Sequence, residues 1–111
     1  MFKIRRVLEE METSIQSFGD SQITGRCEWK RYGNGDLDLK IRLFGLGAYV
    51  GTPLNVQIAG TVFLTWTPKQ DNERHTLDLA DRSDLPHVRK GDILNVLDGE
   101  TVIAIGDFYE D

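Results

Sequence analysis

Ile23-Thr24-Gly25-Arg26-Cys27-Glu28-Trp29-Lys30-Arg31-Tyr32-Gly33-Asn34-Gly35-Asp36-Leu37-Asp38-Leu39-Lys40-Ile41-Arg42-Leu43 decides the fold. Its odd positions up to Trp29 are Ile, Gly, Cys and Trp, and its even positions are Thr, Arg, Glu and Lys. A period of two marks a strand with one buried face. After Tyr32 to Asp36 the same parity resumes in Leu37, Leu39, Ile41 and Leu43, set against Asp38, Lys40 and Arg42. Asn34-Gly35 lies between the two runs, and both residues tolerate the positive φ that tight hairpin turns demand. The stretch predicts an antiparallel hairpin of Ile23–Arg31 with Leu37–Leu43.

Downstream, Gly45 to Pro53 holds three glycines and a proline and predicts a loop. Leu54, Val56 and Ile58 form a strand pattern, Ala59-Gly60 a turn, and Val62, Leu64 and Trp66 the inward face of the next strand. Leu77 and Leu79 mark a short strand before the loop chemistry of Ala80 to Pro86. Ile93 to Leu97 and Val102 to Ile105 are apolar on both faces, which suits strands interior to a sheet or beneath a covering element, with Asp98-Gly99 as their turn. About seven strands at this spacing predict an all-β protein, an antiparallel β-sandwich of immunoglobulin-like form, with a small barrel as the other architecture.

The first residues differ. Ile4, Val7, Leu8, Met11 and Ile15 fall at helical spacing with charged residues between them. They predict an N-terminal helix or arm over residues 1–18, although Phe2, Ile4 and Leu8 would also suit a strand, followed by the β-sandwich domain over 19–111. The helix would lack an N-cap residue, and its charges would oppose the helix dipole. Such a helix needs a surface to lie on, either its own sheet or a second copy, so these five residues are the candidate self-association set of a homodimer.

Composition narrows function. At 111 residues the chain fits one domain, and a hydrophobic fraction of 40% supplies a core. A net charge of −5 with only short basic runs argues against nucleic-acid binding. Neither a signal-peptide pattern nor an apolar run long enough to cross a bilayer is expected, which points to a cytoplasmic protein. The single cysteine, Cys27, falls on a buried strand face, where it behaves as a small inert hydrophobe. With His75 and His87 it makes three nitrogen or sulfur ligands in all, widely spaced, so no metal and no cofactor is expected. Gly45-Leu46-Gly47 lacks the third glycine of a dinucleotide loop. Trp29 and Trp66 read as core residues.

The densest acidic cluster is Asp78, Asp81 and Asp84, a candidate acidic binding loop. It lacks the regular spacing of a calcium loop, Arg82 competes for its carboxylates, and Asp84 before Leu85-Pro86 equally suits a turn.

Leu43-Phe44-Gly45-Leu46, Leu54 to Gly60, Leu77-Asp78-Leu79, Val88 to Asp92 and Ile105-Gly106-Asp107-Phe108 form an ordered series over residues 43–108. The series resembles small β-sandwich units of uncharacterised bacterial proteins. It consists of turns and core positions, so the resemblance implies the fold and no catalytic residue. Two functions follow as expectations. One is a non-enzymatic binding or assembly module; the other is a small hydrolase-like enzyme whose acidic residues converge only in the fold.

Overall fold

In the computed structural model, which describes residues 6–69, 74–82 and 85–110, the hairpin forms as its alternation requires. Thr24–Tyr32 and Leu37–Phe44 pair antiparallel, with Gly25 opposite Leu43, Cys27 opposite Ile41 and Trp29 opposite Leu39. Directly opposed residues share a face, so the apolar sets of both strands are buried together. The turn divides its labour differently from the dipeptide rule. Only Gly35 adopts positive φ, at 90°. Asn34 acts through its side chain, whose Oδ1 accepts the Asp36 N–H at 3.0 Å.

Nine strands among the described residues complete the sheet. They are β1 (Val7–Ser17), β2 (Thr24–Tyr32), β3 (Leu37–Phe44), β4 (Leu54–Ile58), β5 (Thr61–Trp66), β6 (Arg74–Arg82), β7 (Ile93–Asp98), β8 (Thr101–Asp107) and the short β9 (Tyr109–Glu110). The order is β5-β4-β7-β8-β1-β2-β3-β6, every pair is antiparallel, and β9 adds to β1. The only helical element described is a single 3-10 turn at Gly47–Tyr49. The protein is therefore all-β, a curled antiparallel sheet. The two strands that are apolar on both faces, β7 and β8, do lie inside it. Ala80 to Arg82, expected as loop, continue β6.

The N-terminal helix does not form in the described residues; Val7–Ser17 is a strand. Leu8, Met11 and Ile15 fit a helical repeat, but Met11, Thr13 and Ile15 fit a period of two. Those three are 3%, 0% and 2% exposed, whereas Leu8 is 46% exposed. A helix without a cap and against its dipole had little local support, and pairing along β2 outweighs it. Residues 7–17 are thus an interior strand, not an appendage. Ile4 lies outside the described residues.

β1 also joins the two halves of the sheet. From Val7 to Ile15 it pairs with β2, and at Gln16 and Ser17 it pairs with β8. The crossing is tight: a Cβ on Gly106 would sit 2.4 Å from Thr13 Oγ1 and 2.8 Å from the Ser14 carbonyl oxygen. Only glycine permits that approach.

One hydrophobic cluster fills the interior and draws on both halves, from Trp29, Leu39 and Ile41 to Val56, Leu94 and Ala104. Trp29 is fully buried, and its Nε1–H donates to the Pro86 carbonyl at 3.0 Å, fixing the segment that carries the buried Leu85 and Val88. Trp66 and Leu64 pack half-buried against the cluster. Val62, expected to point inward, is 46% exposed. A register shift between Val56 and Gln57 makes Phe63 the extra residue, which turns Val62 to the outer face opposite Gln57.

Two substitutions test these backbone constraints in opposite directions. A Cβ on Gly25 would lie 2.0 Å from the Arg42 carbonyl oxygen. Gly25→Ala should therefore cost about 1–3 kcal/mol in urea unfolding. Ala59 is the one non-glycine residue at positive φ among those described, at 52°, in the turn between β4 and β5. Ala59→Gly should stabilise by about 0.5–1 kcal/mol, the left-handed penalty less the added chain entropy. Equal stability of both variants and the parent would contradict the geometry.

Candidate functional site

With the odd side chains of β2 and β3 committed to the core, the even ones form an outer face. Across β1, β2 and β3 the register aligns Glu10, Lys30 and Asp38 in one row, and Glu12, Glu28 and Lys40 in the next. A third row holds Ser14, Arg26 and Arg42. The centre of this charged face is Glu12, which is only 6% exposed. Arg26 Nη2 donates to both of its carboxylate oxygens, at 2.6 Å to Oε2. The Tyr109 hydroxyl donates to the same Oε2 at 3.2 Å. Bound to Glu12, the Arg26 guanidinium is held above its usual pKa. This neutralisation lets Arg26 sit directly opposite Arg42, a like-charge pair that is otherwise unfavourable. Tyr32 OH donates to Asp38 at 2.9 Å, and Arg31 Nε to Glu9 at 2.7 Å.

The outer face of the other half has the opposite chemistry. One row reads Val62, Gln57, Asn95, Ile105 and Gln16 across β5, β4, β7, β8 and β1. The next reads Thr65, Asn55, Leu97 and Val102. Neither row contains Asp, Glu, Lys or Arg. Thr65 Oγ1 donates to Asn55 Oδ1 at 2.7 Å across the pair. The half ends at β5, which has one described neighbour, β4. Its six residues, Thr61-Val62-Phe63-Leu64-Thr65-Trp66, hold no charge and no proline.

Between the two faces lies an open depression of about 420 Å³, lined by Ser14, Gln16, Ile105, Gly106, Asp107 and Tyr109. It sits where β1 passes from β9 to β8.

The residues singled out from the sequence scatter. Asp78 and Asp81 lie on β6, with Asp78 in register with Lys40, and Asp84 lies outside the described residues. Two of them therefore occupy a strand and not a loop. Met11 and Ile15 are spent in the chain's own core, while Val7 and Leu8 are exposed at the start of β1. Cys27 is fully buried, and that burial pushes its thiol far above the usual pKa. His87 stands edge-on to Trp29 with ring centroids 5.2 Å apart. Among the described residues no three His, Cys, Asp or Glu side chains are grouped to hold a metal. The Glu12–Arg26–Tyr109 triad carried no sequence motif; alternation alone placed Arg26 on an outer face. No protein-family model and no curated protein sequence matches the chain.

Two measurements check this placement. Cys27 should react with a thiol reagent only as fast as the protein unfolds; prompt labelling of the native state would contradict its burial. Arg26→Met should lower the thermal midpoint more than Arg42→Met, because only the first strands a buried carboxylate. Equal midpoints would show that Glu12 does not depend on Arg26.

Proposed function

We propose that the chain is a non-enzymatic binding or assembly module that works in the cytoplasm as a homodimer. The observation that carries this reading is the edge strand β5, which ends the sheet with an uncharged, proline-free hexapeptide. Sheet edges of soluble proteins are commonly blunted by lysine, proline or an inward charge, since an open edge templates pairing with another strand. β5 has the bulge at Phe63 and none of those other devices. A twofold contact sets each residue against the same patch of its mate, so a patch without charge suits it. In a chain of net charge −5 this favours β5 and its neighbours over the charged face.

Antiparallel pairing of β5 with its mate would continue the sheet across the dimer and bring the outer residues Val62 and Thr65 of each copy together. The two halves of the sheet, sharing one core, would be the layers of a β-sandwich of immunoglobulin-like form. Among the described residues the charged face mixes carboxylates with its cations, which suits nucleic acid poorly. It supports the hydrolase alternative less well: Glu10, Glu12 and Asp38 each stand opposite or beside a cationic side chain.

Light scattering tests the reading directly. At micromolar concentration the intact chain should have twice the monomer mass. The Val62→Lys, Thr65→Lys double variant should be monomeric and still folded, with a thermal midpoint that no longer rises with protein concentration, because both positions face outward. A monomeric intact chain would overturn self-association. A dimer that survives in the double variant would remove β5 from the interface.

A further inference from the structure

We propose a saccharide-binding site in the depression where β1 changes partner. β1 pairs with β9 at Met11 and Glu12 and with β8 at Gln16 and Ser17. Between these points Thr13 to Ile15 have no register partner on that side, and the chain opposite turns from β8 into β9. Phe108 fixes that turn. Its side chain is 2% exposed in the core, and its N–H donates to the Asp92 carbonyl at 2.9 Å. Period-two alternation then sends Asp107 and Tyr109, on either side of it, to the outer face.

The resulting depression, about 420 Å³, lies within the size range of small-molecule sites. Its lining defines the class of ligand. Tyr109 is 43% exposed, and its hydroxyl is bonded to Glu12, itself clamped by Arg26. The ring is thus held in place with apolar surface open to the depression. Asp107 supplies acceptors only, Gln16 supplies both donors and an acceptor, and Ser14 supplies a hydroxyl. A pyranose presents an apolar C–H surface to an aromatic ring and vicinal hydroxyls, each donor and acceptor, to such groups. Among the described residues neither Lys nor Arg lines the depression, so a phosphate or carboxylate would meet no counter-charge from them. One carboxylate is too few for calcium, which takes about six to eight oxygen ligands. The site is open on one side, so millimolar affinity is expected. It lies three strands from β5, roughly 14 Å at ordinary strand spacing, and does not depend on the dimer.

The test is a titration followed by the amide spectrum of ¹⁵N-labelled full chain. Maltotriose, cellotriose and N,N′-diacetylchitobiose are added separately at millimolar concentration, with inorganic phosphate and calcium chloride in parallel. At least one saccharide should move the amides of Gln16, Gly106, Asp107 and Tyr109. That affinity should fall about tenfold or more in Tyr109→Ala and in Gln16→Ala. Both positions are on the surface, and retained dispersion of the remaining amides shows that the variants fold. The proposal is overturned if no saccharide moves these amides, if only phosphate or calcium does, or if the response is undiminished in both variants.

Discussion

The fold depends on one strand being paired along both of its edges. β1 is zipped to β2 over most of its length and to β8 at its last two residues, so it carries the sheet from one half to the other. Without it, the β2–β3–β6 group and the β4–β5–β7–β8 group would be two separate sheets, each exposing the apolar face that now lies in the shared core. The tight approach of Thr13 and Ser14 to Gly106 is what this crossing requires. The same crossing opens the ladder between β9 and β8, so the depression is a product of the constraint that stitches the sheet together.

The chemistry of the two outer faces follows from the shared core. Once Met11, Thr13, Cys27, Trp29, Leu39 and Ile41 are committed inward, parity sends Glu12, Arg26, Glu28, Lys40 and Arg42 outward together. In the other half, commitment of Leu54, Val56, Leu94 and Val96 to the core sends Asn55, Gln57 and Asn95 out. One face mixes acidic and basic side chains, which water solvates well. The other combines amides with aliphatic side chains and ends, among the described strands, at β5.

The parts legible in the sequence were those decided locally. The hairpin through Asn34-Gly35, the β4–β5 turn at Ala59-Gly60 and the interior position of β7 and β8 all follow from alternation and turn residues close in sequence. β1 was not legible, because Met11 and Ile15 satisfy a period of two and a spacing of four equally well. The choice belongs to β2, whose partner strand cannot be read from β1 itself. Bulges hid the rest: one extra residue at Phe63 reverses Val62, a change no periodicity reveals. The triad of Glu12, Arg26 and Tyr109 joins residues up to 97 positions apart, so only the closed sheet assembles it.

Both halves of the sheet require β1 as their interior strand, and native-state amide hydrogen exchange is the decisive measurement of that role. If β1 holds the sheet together, the amides of Met11 to Ile15 that pair with β2 should exchange only through global unfolding. Their opening free energies should equal those of the slowest amides in β2 and β3. Exchange of the β1 amides well before those of β2, as expected of an appended arm or marginal helix, would contradict it.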